Sequence, residues 1–221
     1  AFCEGFVMKK YLLALTIAAA AAVPSQAAVQ LSSVAGNATY QGPGFAATQI
    51  FDFNGGSEAR WDRAIFTTSQ NGVRARPLGS TGGFISVGPS DGSPGTFSLA
   101  GLGPLNAISF LWGSVDTYNT LQVLDQDGGL LASFLGSQVW NPANGNQTAT
   151  ATNRLVRLDF TGATKNEVGA LRFISTNNAF EVDNIAIAAV PEPATWAMMI
   201  GGFGLIGAAA RRRARATIAY A

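Results

Sequence analysis

The stretch Thr120-Leu121-Gln122-Val123-Leu124-Asp125-Gln126-Asp127-Gly128-Gly129-Leu130-Leu131-Ala132-Ser133-Phe134-Leu135 decides the fold class. Two apolar runs of strand length flank five residues suited to a turn. Asp125-Gln126-Asp127-Gly128-Gly129 combines side chains that bond locally to the backbone with glycines free to take positive φ, so it reads as a hairpin turn.

The same alternation of short runs and turn signals recurs in both directions. Candidate strands are Gln49–Phe53, Ala64–Thr68, Gly83–Val87, Thr96–Leu99, Ala107–Trp112, Thr120–Leu124, Leu130–Leu135, Arg154–Phe160, Ala170–Ser175 and Ala179–Ile187. Residues 28–190 hold 21 of the 26 glycines and no stretch with helical 3.6-residue periodicity. The expected fold is therefore all-β, an antiparallel β-sandwich of jelly-roll type spanning 28–189. In Gln49–Phe53, Phe51 and Phe53 share a face while Asp52 points away. In the last strand Phe180 and Val182 share one parity, and Ile185 and Ile187 the other. Asp183-Asn184 must absorb that slip, so a β-bulge or bend is expected there.

Charge and composition exclude several functions. Within 28–190 there are eight basic and eleven acidic side chains, a slight acidic excess that gives nucleic acid no electrostatic footprint. Histidine is absent, which removes the commonest general base and metal ligand at neutral pH. The one cysteine, Cys3, precedes Met8, so the sandwich would hold no disulfide, thiolate metal site or cysteine nucleophile.

The two ends read as addresses. Residues 1–7 fit no signal pattern and read as an over-extended start. Residues 8–27 form a signal peptide: Met8-Lys9-Lys10, an apolar run expected to be helical, Pro24, then Ser25-Gln26-Ala27, with cleavage between Ala27 and Ala28. Such a segment implies the Sec translocon and signal peptidase as partners. Residues 190–221 open with Val190-Pro191-Glu192-Pro193, where each proline disfavours helix in the residue before it. Residues 196–210 are uncharged and read as a transmembrane helix, although about 22 Å of helix is short for a hydrocarbon core of about 30 Å. Trp196 suits the outer interface, and Arg211, Arg212, Arg213 and Arg215 the cytoplasmic one.

Pro191-Glu192-Pro193, Trp196-Ala197-Met198-Met199, Gly202-Phe203-Gly204 and the Arg211–Arg213 cluster, in this order and spacing, resemble the PEP-CTERM sorting domain. The resemblance implies recognition by exosortase, a membrane cysteine protease-transpeptidase, and processing near Pro-Glu-Pro. It also implies a transient inner-membrane stage, followed by the cell surface or the extracellular space. Arg215 to Ala221 extends past the usual short basic tail. A second likeness runs from Asn106 to Arg213. Trp112-Gly113-Ser114-Val115-Asp116-Thr117-Tyr118-Asn119 and Phe180-Glu181-Val182-Asp183-Asn184-Ile185 are similar to a family of exosortase-dependent surface proteins. That family brings no enzymatic role with it.

Candidate chemistry within the sandwich is sparse. Asp125 and Asp127 could ligate a structural calcium ion, but the motif lacks a closing Glu, and a plain turn is favoured. Asp183 could complete such a site with Asp52, against the reading of a capped bulge. No other cofactor is implied. Trp112, Tyr118 and Trp140 could stack on sugar rings. Trp112 alternates with Phe110 and Ile108 and reads as core, leaving Tyr118, beside Asp116 and Asn119, as the better ligand-binding candidate. Thr148, Thr150 and Thr152 could carry glycans. Nucleophile elbow, phosphate loop and His-bearing triad are all missing. The leading expectation is a non-catalytic cell-surface or matrix protein. The alternative is a carbohydrate-binding module associated with exopolysaccharide or biofilm matrix. A glycosidase would require two carboxylates facing each other across a cleft, about 5–10 Å apart.

Overall fold

The computed structural model describes residues 28–190 and 193–215. The strands are β1 (Ala28–Ala35), β2 (Gln49–Phe51), β3 (Ile65–Phe66), β4 (Phe84–Val87), β5 (Gly95–Ser98), β6 (Leu105–Gly113), β7 (Asn119–Asp125), β8 (Leu130–Leu135), β9 (Arg154–Thr161), β10 (Val168–Ser175) and β11 (Phe180–Ala189). Three helices are described: α1 (Gly136–Val139), α2 (Thr164–Glu167) and α3 (Pro193–Arg215). All strand pairings are antiparallel.

Two sheets share one core. The first runs β1-β9-β6-β11-β4-β3, with β2 also paired to β11; the second runs β5-β10-β7-β8. Ile108, Phe110 and Trp112 of the first sheet meet Leu121, Val123, Leu171 and Phe173 of the second in one buried cluster. Aromatic rings weld the two layers. Phe173 meets Phe110 and Phe180 edge-on, at 5.7 and 5.2 Å between centroids. Trp112 lies stacked on Phe180 at 3.9 Å. Gly95 is glycine because the Trp61 ring packs where its Cβ would stand. Trp112 is fully buried, as its alternation with Phe110 and Ile108 requires.

The turn at Asp125–Gly129 closes β7 onto β8 as expected. Asp125 N–H donates to the Gly129 carbonyl at 2.8 Å, and Gly128 takes φ 87°. All ten expected strands form, and β8 has the bounds read from sequence. The break in β11 is also present: Asp183 pairs with Leu111 and Ala186 with Ser109, so three steps on β11 oppose two on β6. Asn184 sits at the extra position with φ 54°. Phe180 and Val182 before the bulge, and Ile185 and Ile187 after it, thereby all reach the same core.

Three features depart from the sequence reading. Strand β1 was not anticipated, because Val34 breaks the Val29, Leu31 alternation; an eight-residue ladder to β9 forms it nonetheless. The short helices α1 and α2 carry too few residues for any periodic signal. The third departure is the transmembrane helix expected at 196–210. A helix does form there as α3, but no helix among the described residues is long and apolar enough to cross a membrane. Arg211 follows only 15 uncharged residues, and four glycines dilute their hydropathy. The signal helix expected at 8–27 lies outside the described residues.

Phe180→Ala removes a ring that touches both Trp112 and Phe173, and should cost about 3–5 kcal/mol of stability. Leu130→Ala, at a side chain 60% exposed, should stay within about 0.5 kcal/mol. Urea titrations of the two variants, followed by far-UV circular dichroism, check the contrast.

Candidate functional site

Over the central strands β4, β6 and β11 the outer face of the first sheet is covered rather than solvated: Ser86, Ser109, Glu181 and Asp183 are all buried. The segment between β3 and β4 crosses it. Ala75 N–H donates to Glu181 Oε1 at 2.8 Å, and Asn178 Nδ2 donates to the Gly72 carbonyl at 3.1 Å. Asn153 is the hub of this cover. Its Oδ1 accepts from the Leu78 and Ser114 N–H groups, while its Nδ2 donates to carbonyls of Asn146, Gln147 and Ala149. Arg74 ion-pairs with Asp91, which also accepts from Ser86 Oγ. Outward-pointing polar residues of the central strands are buried for this reason.

Beneath the cover lies a polar pocket of about 70 Å³, lined in part by Arg74, Ser114, Asp116, Tyr118 and Glu181. Ser114, at φ 42°, turns its hydroxyl to donate to Glu181 Oε2 at 2.7 Å. Burial pushes the Glu181 carboxyl up to about 7, against opposing hydrogen bonds from Ala75 and Ser114. Tyr118 Oη stands 2.6 Å from Asp116 Oδ2 and 2.9 Å from the Asn178 carbonyl oxygen. The Tyr118 hydroxyl is the donor in both contacts, its one proton shared between the Asp116 carboxylate and the Asn178 carbonyl. Burial raises the Asp116 carboxyl above its ordinary range, and the hydrogen bond from Tyr118 opposes that rise. Burial and the neighbouring Asp116 likewise raise the Tyr118 phenol.

This geometry alters the ligand reading of Asp116, Tyr118 and Asn119. Asn119 is fully buried at the start of β7. Its Oδ1 accepts from Ser175 Oγ at 2.8 Å and its Nδ2 reaches the Ala179 carbonyl at 3.3 Å. It is a pin between strands and has no face for a ligand. Asp116 and Tyr118 do line a common pocket, but at roughly 30 Å³ per water molecule that pocket admits small polar species and no sugar ring. Trp140 carries the Arg154 guanidinium over its ring at 4.6 Å, so that face is occupied. Thr148 and Thr150 are exposed, whereas Thr152 is buried with its hydroxyl donated to backbone carbonyls.

The three candidate metal ligands do not meet. Asp125 Oδ1 accepts from the Asp127 and Gly129 N–H groups, which is turn chemistry, and Asp127 lies exposed beside it. Asp183 sits at the β11 bulge on the other sheet, where Oδ1 accepts from Asn184 N–H at 2.6 Å. Among the described residues no three His, Cys, Asp or Glu side chains gather as a metal site. Burial, aided by the Asp52 charge, lifts the Asp183 carboxyl to about 7. Asp52 itself bonds to the backbone N–H and side-chain amide of Asn54.

The chain's last described elements differ in kind. Val190 N–H donates to the Pro104 carbonyl at 2.7 Å, fastening the end of β11. Pro191 and Glu192, like Ala27, lie outside the described residues, while Ala28 opens β1. Pro193 begins α3, in which Trp196 is 51% exposed and Met198, Ile200, Phe203, Leu205 and Ile206 are more exposed still. Arg211 is exposed, and Arg212 and Arg213 continue the helix. Contiguous apolar surface of this kind marks an interaction site.

Comparison with protein families matches residues 189–213 to the PEP-CTERM protein-sorting motif. The chain carries a PEP-CTERM sorting signal. That motif implies exosortase as its processing partner and directs the protein toward export and the cell surface or the extracellular space. The PEP-CTERM segment begins at Ala189, the last residue of β11, so signal and sandwich abut without a linker. No curated protein matches the chain.

Glu181 and Asp183 supply a pH test. Both are raised in the fold, from 4.5 and 3.8 to about 7. Between roughly pH 4 and 7 the folded state therefore retains protons that the unfolded chain releases, and stability must fall as pH rises through that window. Glu181→Gln should remove up to about 3 kcal/mol of that fall. Urea midpoints at pH 5 and pH 8 read the difference, with the wild type less stable at pH 8 and the variant less affected.

Proposed function

We propose that this chain is an exported, non-catalytic β-sandwich. It enters the Sec translocon, is released by signal peptidase between Ala27 and Ala28, and is processed by exosortase near Pro191-Glu192-Pro193. It then joins the cell surface or the exopolysaccharide matrix around the cell. The observation that carries this reading is the PEP-CTERM motif at residues 189–213, joined directly to the last strand of the sandwich.

The character of α3 supports the same reading. Its exposed apolar side chains need a partner, and its glycines at 201, 202, 204 and 207 leave open space where another helix could approach closely. Docking on exosortase would satisfy both. A non-catalytic sandwich fits a chain without histidine whose clustered carboxylates, Asp116 and Glu181, share a pocket too small for a glycoside. A matrix role is the natural end of this route, and the exposed Thr148 and Thr150 are the positions for glycans.

Mass spectrometry of the protein recovered from producing cells tests the proposal. The C-terminus should fall near Pro193 when exosortase is present, and the segment 196–221 should remain attached when the exosortase gene is deleted. Mature surface protein that retains Trp196–Ala221 in both strains would overturn it.

A further inference from the structure

A cavity of about 740 Å³ lies on the second sheet, away from the Asp116 pocket. Its floor is the outer face of β5 and β10, where Thr96 pairs with Arg172 and Ser98 with Ala170. One wall is the loop after β5, from Ala100 to Pro104; the other is the Asp125–Gly129 turn with Asn166. The size lies within the range of small-ligand sites.

The charge state of the floor distinguishes this cavity. Every other arginine of the sandwich is engaged. Arg60 donates to the Ser98 and Ala100 carbonyls, Arg63 to Pro94, and Arg76 to Thr67 and Gly82. Arg74 and Arg157 pair with Asp91 and Asp159, and Arg154 with Ser33. The Nε atoms of Arg74, Arg76 and Arg172 are all buried without a partner, but Arg74 and Arg76 are held through their terminal nitrogens, whereas Arg172 has no hydrogen bond or ion pair among the described residues. A buried donor left unsatisfied costs roughly 1–3 kcal/mol, more for a charged group, so the guanidinium is poised for an acceptor that enters the cavity.

The remaining lining narrows the ligand. Thr96, Ser98, Gln126 and Asn166 bring hydroxyl and amide groups, and Leu99 and Leu124 bring apolar surface. Among the described residues Arg172 is the one cation of the lining and Asp125 its one anion. A densely charged polyanion gains little from such a balance, whereas a polyhydroxylated chain with one carboxylate per unit finds a partner for each of its groups. We propose that this cavity binds an acidic polysaccharide of the uronate class, with Arg172 pairing with a uronate carboxylate. The proposal goes beyond the sorting reading, and its test needs no exosortase.

The experiment is titration calorimetry of the purified full chain with alginate oligomers, using neutral dextran oligomers, free uronic acid and polyphosphate as comparators. Alginate should bind with an affinity that falls as salt rises, and dextran and the monomer far more weakly. Arg172→Gln should weaken alginate binding about ten- to hundredfold, the loss expected for one charge-assisted pair. Arg157→Gln, at an arginine already paired with Asp159, should bind as the wild type does. Unchanged urea midpoints keep a folding defect from mimicking the result. No alginate binding, equal binding of dextran, tighter binding of polyphosphate, or undiminished binding by Arg172→Gln would each overturn the proposal.

Discussion

The bulge at Asp183-Asn184 is the constraint on which the rest of the structure depends. It lies in β11, which pairs with β6 along one side and with both β4 and β2 along the other. Without the extra residue, Ile185 and Ile187 would point to the opposite face from Phe180 and Val182. With it, all four enter one core, and Phe180 can lie against Trp112 while meeting Phe173 of the facing sheet. Asn184 takes the positive φ this requires, and Asp183 caps the turn by accepting its N–H.

The strand that comes last in the sandwich is a central one. The first sheet is incomplete until Phe180–Ala189 has been delivered, and the sorting segment follows with no intervening linker. Val190 N–H is then fastened to the Pro104 carbonyl, holding the end of β11 to the folded domain. In a chain without disulfides to lock it, the aromatic core must do this work alone.

The two polar regions illustrate opposite uses of burial. Under the β3–β4 cover, Glu181 is satisfied by the Ala75 N–H and the Ser114 hydroxyl and Tyr118 is held by Asp116 and the Asn178 carbonyl, and the cost of burial appears as raised carboxyl pKa values. On the second sheet, Arg172 is left unsatisfied at the floor of an open cavity. The first arrangement holds a loop in place. The second is arranged for something outside the chain.

By itself the sequence determined the class of fold, the ten strands it named, the β11 bulge and the sorting signal. These rest on local information: alternation with period two, glycine-rich turns, a parity slip within one strand, and a contiguous motif. It passed over β1, whose alternation fails at Val34 and which exists because β9 offers it a ladder. An amide beside a loop tyrosine reads as exposed in sequence, whereas Asn119 is buried, bonded to Ser175 and the Ala179 carbonyl. Arg172 drew no notice in sequence, since one arginine in an alternating strand resembles any other. Only the tertiary structure separates it from the six that found partners, because hydrogen-bond satisfaction depends on neighbours far away along the chain.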